Sequence, residues 1–213
     1  RQGHINNAVF STFLETGRVE LIYDRARRLV EPGTAFGARA AAGKLKDLPD
    51  EDVSADMYLE TQDICCEFGF PGYEISNHAR QGSESRHNLI YWRQGDWAAV
   101  GPGAHGRLTL DCGRVATEAV MSPGGWIEAV ETHGTGESLR SFLPADEQAT
   151  EYLLMSMRLA EGMDEARYHR LSGGVLPEAA VESLFAMGML RREGGRLIAT
   201  DQGRPVLNAI LRE

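Results

Sequence analysis

Cysteine is scarce in this chain. It holds three, Cys65, Cys66 and Cys112, an odd number of which two are adjacent, and neighbouring residues rarely pair because disulfide geometry across one peptide bond is strained. A disulfide scaffold is therefore excluded, and a reducing compartment fits better than secretion. The three also form no CxxC or CxxxCxxC spacing, so the chain offers no self-contained zinc or iron–sulfur site. Long apolar runs are missing too: no stretch approaches the roughly 20 residues a membrane helix requires. The amino terminus also lacks a basic region followed by an apolar one, so no integral membrane segment and a cytoplasmic location are expected. Positive charge is in short supply, with 22 Lys and Arg against 31 Asp and Glu and a formal net charge of −9. That balance opposes a protein that neutralises many phosphates or coats an anionic membrane. What is present, 213 residues of 42% hydrophobic content, can bury a core and hold one domain or two modest ones.

Apolar positions from Gly3-His4-Ile5-Asn6-Asn7-Ala8-Val9-Phe10 through Leu21-Ile22 recur at helical spacing, with Asn6 or Asn7 as a cap and a basic end at Arg25, Arg27 and Arg28. Glu31-Pro32-Gly33-Thr34 reads as a turn, and Ala38 to Ala42 as a helical turn. From Asp50 to Phe68 the pattern predicts an amphipathic helix with Val53, Met57, Ile64 and Phe68 on its inner side, stopped by Gly69. Tyr73-Glu74-Ile75-Ser76 then reads as a buried strand, a helix-to-strand unit of the α/β kind. Strands are expected at 107–111 and 114–119, and a helix from Pro123 to Val130. The Gly/Ser/Pro-bearing stretch from Gly134 to Pro144 looks like a boundary. Beyond it the spacing predicts helices at 145–160, 164–172 and 177–188, the last opened by Pro177. A hairpin over Met189 to Ala199 turns at Gly194-Gly195, and a final helix over 201–211 is capped by Thr200.

The densest signal lies between 73 and 107. It comprises Tyr73-Glu74-Ile75-Ser76-Asn77-His78-Ala79-Arg80, Arg86-His87-Asn88-Leu89-Ile90-Tyr91-Trp92-Arg93, and Gly101-Pro102-Gly103-Ala104-His105-Gly106-Arg107. His87, Tyr91 and Trp92 stand at i, i+4 and i+5, so on a helix a nitrogen ligand and two large rings project to neighbouring positions. That set suits a planar tetrapyrrole, since histidine ligates heme iron and aromatic rings flank the macrocycle. Arg80, Arg86 and Arg93 could meet propionates by charge-assisted hydrogen bonds. On the residues alone a plainer reading stands beside it: His87 and Asn88 cap a turn while Tyr91 and Trp92 pack. The glycines divide in the same way, because Gly101, Gly103 and Gly106 either let backbone approach a ligand or serve tight turns. His78 could line the same cavity or be a hydrogen-bonded structural residue, and His133 and His169 read as surface positions.

These three blocks resemble those of the radical S-adenosylmethionine (SAM) heme chaperones of the coproporphyrinogen dehydrogenase family, and the similarity runs from about Glu31-Pro32-Gly33-Thr34-Ala35-Phe36 to the carboxy terminus. The resemblance implies that His87-Asn88-Leu89-Ile90-Tyr91-Trp92 is the HNxxYW motif associated with heme, so that His87, Asn88, Tyr91 and Trp92 are heme-binding, with His87 a ligand to the iron. It also implies that Gly101, Gly103, Ala104 and His105 lie beside SAM on the last part of a partial barrel. The fold implied is α/β, an incomplete radical-SAM (β/α) barrel followed by a mainly helical, winged-helix-like domain. The function implied is binding of heme for transfer to a heme-acceptor protein. A coproporphyrinogen III dehydrogenase of porphyrin biosynthesis is the alternative within the family.

The chain also departs from the family. The CxxxCxxC motif that holds its [4Fe–4S] cluster is absent, so cluster binding and reductive SAM cleavage are not expected here, and no catalytic residue is assigned. In place of the upstream barrel, Gly3 to Phe10 with Glu15, Gly17 and Arg18 is similar to the central helix of hotdog-fold acyl-CoA thioesterases. A catalytic acid commonly precedes that block in the family, and no such acid is found here. The expected domains are a foreign helix at 1–28, the barrel part at 29–143 and the winged-helix-like domain at 144–213. Unpaired strand edges of an incomplete barrel also predict association between copies of the chain. A wing invites a nucleic-acid reading, but residues 145–213 carry 8 Arg against 11 Asp and Glu, a balance that opposes phosphate binding.

Overall fold

The computed structural model describes residues 51–212, which group into two compact units, each built from separated stretches. One comprises 51–85, 157–162 and 176–212, the other 86–156 and 163–175. The boundary expected at 143/144 is not where these units divide. The features read over residues 1–50, including the thioesterase-like helix and the basic cluster after it, lie outside the described residues.

In the first unit, helix α1 (Glu51–Glu67) ends as its sequence predicts. Gly69 takes φ 77°, and the amide of Phe70 returns to the Cys65 carbonyl at 2.8 Å, a glycine C-cap that satisfies the last turn. Its inner face differs from expectation. Ser54, Tyr58 and Cys65 are buried, whereas Val53, Met57, Ile64 and Phe68 are exposed. Each residue turns a helix by about 100°, so a helix with apolar groups on two adjacent stripes can settle one position away from the face that hydropathy favours. Burial also pushes the Cys65 thiol pKa up.

The expected strand at Tyr73 to Ser76 turns back on itself: β1 (Gly72–Glu74) pairs antiparallel with β2 (Asn77–His78). The Ser76 hydroxyl donates to Glu74 Oε1 at 3.1 Å and the Asn77 side-chain amide donates to the same oxygen. Side-chain bonds of this kind stabilise a turn in place of an extended run.

Helix α6 (Glu178–Ala186), with Pro177 at its N-cap, packs with the hairpin of β7 (Leu190–Glu193) and β8 (Arg196–Ala199). Gly194 and Gly195 both have positive φ, 56° and 75°, the requirement of a tight two-residue hairpin turn. The final helix is shorter than its pattern suggests, α7 (Leu207–Ile210). Thr200 accepts from the Gly203 amide at 3.1 Å but stands ahead of a turn, not of α7, whose N-cap is Val206; Pro205 lacks an N–H and interrupts the helical ladder. Leu184, Leu190, Leu197, Leu207 and Ile210 form the apolar centre of this part.

The second unit starts with helix α2 (Arg86–Trp92). A three-stranded antiparallel sheet follows in the order β3 (His105–Leu110), β4 (Gly113–Ala119), β5 (Glu137–Phe142). Helix α3 (Pro123–His133) enters through Ser122, whose hydroxyl accepts from the Gly125 amide, and leaves through Gly134 in the left-handed region. The stretch read as a boundary at 134–144 therefore contains a paired strand, β5, because its turn residues end α3 and the rest matches the register of β4. Helix α4 (Ala145–Ser156), the two-residue strand β6 (Met163–Asp164) and α5 (Glu165–Ser172) complete the unit. Asp164 caps α5, accepting from the Arg167 amide at 2.8 Å. The Arg167 guanidinium lies over the Tyr152 ring at 4.4 Å. The chain thus mixes helix and sheet as an α/β reading requires, and the ladders described within each unit are antiparallel. No helix among the described residues is long and apolar enough to cross a membrane.

Candidate functional site

Helix α2 presents no buried residue. His87 is exposed, Asn88, Tyr91 and Trp92 are partly covered, and the Trp92 indole nitrogen is shielded from solvent. His87 and Tyr91, one turn apart, meet edge to face, with ring centroids 4.7 Å apart and planes at 83°. Trp92 stands five positions from His87, about 140° around the helix, so it does not extend that pair. Instead Tyr91 continues to a ring the motif does not contain: its centroid lies 4.6 Å from that of Trp97 at 62°. The imidazole is open to solvent at the end of this row.

The row rests on a segment held at every residue. Gln94 ends α2 in the left-handed region, φ 51°, where glycine is usual. Its side chain is 2% exposed and donates to the Gln148 carbonyl at 2.6 Å, which offsets the backbone cost. Arg167 donates to the Gln94 carbonyl at 3.2 Å. Arg114 donates to the Gly95 carbonyl and to Asp96, both at 2.8 Å. Burial alone would raise the Asp96 carboxyl, but the Thr109 and Arg114 hydrogen bonds hold it below the usual range. Trp97 exchanges backbone hydrogen bonds with Arg107 at 2.8 and 2.9 Å, and its indole N–H donates to the His105 carbonyl at 2.8 Å. The Arg107 guanidinium lies 5.9 Å from the Trp97 ring and is fixed by Glu151 at 2.6 Å.

The glycine block follows directly. Gly101 and Gly103 adopt φ 104° and 66°, conformations that favour glycine. A Cβ on Gly101 would meet nothing within 4 Å, so backbone is open there, whereas one on Gly106 would lie 2.5 Å from Thr117 Oγ1 and 2.9 Å from the Ala99 amide nitrogen. Gly106 is thus a packing glycine. The Gly103 amide donates to the Val120 carbonyl at 2.9 Å, and the Ala104 carbonyl accepts from Ala119 at 2.9 Å. His105 is exposed, with Nδ1 3.9 Å from Glu118. Beside this loop a cavity of about 270 Å³ is lined by Ala99, Val100, Thr117, Trp126, Val130 and Gly136. That volume is below the range of pockets that enclose drug-sized ligands, and His87 is not among the residues that line it.

The three arginines named for propionates separate. Arg86 and Arg93 are exposed at the two ends of α2, while Arg80 belongs to the other unit, 4.9 Å from the Phe70 ring. His78 is also in that unit, 4% exposed, with Nε2 3.0 Å from Gln62 Oε1, a structural histidine. His133 and His169 are exposed. Among the described residues no three His, Cys, Asp or Glu side chains cluster to hold a metal ion, and the three cysteines are free. They do not fit an iron–sulfur cluster. Trp97 and Gln94 were not singled out by sequence reasoning, and Arg107 only as the last residue of the glycine block. Trp97, six residues past Tyr91 and beyond the helix, has no periodic relation to it.

Residues 143–206 match the HemN C-terminal domain. Among known proteins the chain is similar to heme chaperone HemW of Mycobacterium tuberculosis, 36% identical over 186 residues that cover 86% of this chain and 45% of the relative. It is similar to the mitochondrial radical S-adenosyl methionine domain-containing protein 1 of Danio rerio, 35% identical over 181 residues, covering 82% and 40%. HemW of Escherichia coli is 29% identical over 187 residues, covering 85% and 46%. The chain therefore spans less than half the length of these relatives. A solved structure of the radical SAM enzyme coproporphyrinogen III oxidase (HemN) from Escherichia coli resembles it in fold. The TM-score is 0.59 at 16% identity, over 81% of this chain and 44% of that one.

Proposed function

The chain belongs to the family of the heme chaperone HemW, and from that premise we propose that it binds heme for transfer to an acceptor protein, through the His87 end of α2. One observation carries the reading: His87 is exposed and set edge to face on Tyr91, so a nitrogen ligand stands at a fixed angle on an open surface. Imidazole can ligate heme iron, the Tyr91 ring set against it can flank the macrocycle, and Asn88 and Trp92, which point to other sides of α2, complete the motif. Arg86 and Arg93 supply cations for propionates. Heme is the cargo in this reading, and no chemistry on it is assigned.

The finer architecture belongs to the same proposal. Of the described residues, those up to 143 are read as the last part of a radical-SAM partial barrel and those from 144 as a winged-helix-like domain. The open backbone at Gly101, with Gly103, Ala104 and His105 after it, is the part that would lie against SAM. The cysteines present do not fit the cluster, so no step through it is derived. Location in the cytoplasm and association between copies of the chain complete the proposal. The likeness to HemN favours a coproporphyrinogen oxidase as second reading, but the sequence identity lies with the chaperones.

Hemin titrated into the protein should shift its Soret band, and His87→Ala should weaken binding by about tenfold or more, the scale on which metal sites respond to lost supporting groups. Equal titrations for the two proteins would remove His87 as the ligand.

A further inference from the structure

We infer that Trp97, outside the HNxxYW motif, is the positioning residue that joins the His87 helix to the glycine-rich loop, so that heme affinity at His87 is set through the Tyr91–Trp97 contact. The inference rests on the heme reading above. An exposed imidazole on a surface helix ordinarily samples several rotamers. Here its partner ring, Tyr91, is held against Trp97 at 4.6 Å, and Trp97 has no freedom of its own. Its indole N–H is on the His105 carbonyl, its backbone is paired with Arg107, and the Arg107 side chain covers its ring while bonded to Glu151.

Two motifs widely separated by type, a ligand-bearing helix and a glycine loop, thus share one indole. Edge-to-face pairs transmit orientation because their geometry has a preferred angle. The loop contributes through the His105 carbonyl, and the next residue, Gly106, cannot carry a side chain without displacing Thr117 and the Ala99 backbone. A displacement of the loop must therefore move Trp97, and with it the Tyr91 edge against which His87 stands.

The test is a double-mutant cycle read by hemin titration on variants with native far-UV dichroism. Trp97→Leu should weaken hemin binding roughly three- to tenfold, the loss expected when an oriented aromatic pair is removed. In a His87→Ala background the same change should cost nothing further. Trp97→Phe keeps a ring beside Tyr91 and should weaken binding less, again only while His87 is present; it carries the cycle if the leucine variant does not fold. A folded Trp97→Leu protein that binds hemin as the native chain does, or that loses the same factor without His87, overturns the inference. If the native chain fails to bind hemin, the functional reading falls first. The inference then stands or falls on the proton Overhauser contact between the His87 and Tyr91 rings, which Trp97→Leu should abolish and whose survival would overturn it.

Discussion

His78 shows how a residue's chemistry is decided by its surroundings. Burial first, and repulsion from Arg204 second, push its pKa down to about 4 from an ordinary 6.5, so the folded state holds it neutral. The unfolded chain binds a proton there near pH 6.5 that the native state refuses until about pH 4. Its stabilising contribution is therefore complete above pH 6.5 and is lost as pH falls to about 4, by up to about 3 kcal/mol. Glu74, fully buried, acts in the opposite sense. Burial raises its carboxyl against the hydrogen bonds from Asn77 and Ser76, so its protonation favours the folded state as pH falls. The comparison that isolates the imidazole is the native chain against His78→Gln. Denaturant midpoints of the native protein should fall more steeply between pH 6.5 and 4, and parallel curves would rule the neutral histidine out as the cause.

At the scale of elements, α1 gives a direct contrast. Tyr58 is 5% exposed and Ile64 is 45% exposed on the same helix. Tyr58→Ala should cost about 3 kcal/mol or more, as loss of a buried aromatic does. Ile64→Ala should stay within about 1 kcal/mol. Urea unfolding of both variants checks this, and equal losses would mean that the outer stripe is covered in solution. In the central sheet, Gly106→Ala forces a methyl to within 2.5 Å of Thr117 and 2.9 Å of the Ala99 backbone. Overpacking of that sort costs about 1–3 kcal/mol; because the strained atoms adjoin Trp97, the same variant should also broaden or shift the His87 ring resonances. A native melting curve for it would show that β3 can move away from residues 97–99 at little cost.

For the whole molecule the governing quantity is charge. A net of −9, with 8 Arg against 11 acids in 145–213, leaves the carboxy-terminal part as a whole without the excess of cations that phosphate binding draws on. Electrophoresis with duplex DNA at low salt should show no shift. A shift that disappears on adding salt would restore a nucleic-acid role for the winged part.

Much of the local structure was legible because its causes are local. Gly69, Gly134 and Gly194-Gly195 end or turn their elements through positive φ, and Ser122 and Asp164 start helices with side-chain oxygens. These signals need only neighbours in sequence. Of the candidate site, the His87–Tyr91 pair was readable from its i, i+4 spacing. Trp97 was not, since no helical period relates it to Tyr91, and the pins on Gln94 and Arg107 come from Gln148, Arg167 and Glu151, some 44 to 73 residues away.

By itself, then, the order of residues determined the composition-level exclusions, most helix starts and stops, the hairpin turn and the His87–Tyr91 spacing, because each follows from backbone sterics, capping or charge within a few positions. Only the tertiary structure decided which stripe of α1 faces inward, that Tyr73 to Ser76 folds back, that 137–142 joins the sheet, and that an indole outside the motif meets the Tyr91 ring. Those outcomes depend on the shape and hydrogen-bonding groups of distant partners, which hydropathy along a single chain does not encode.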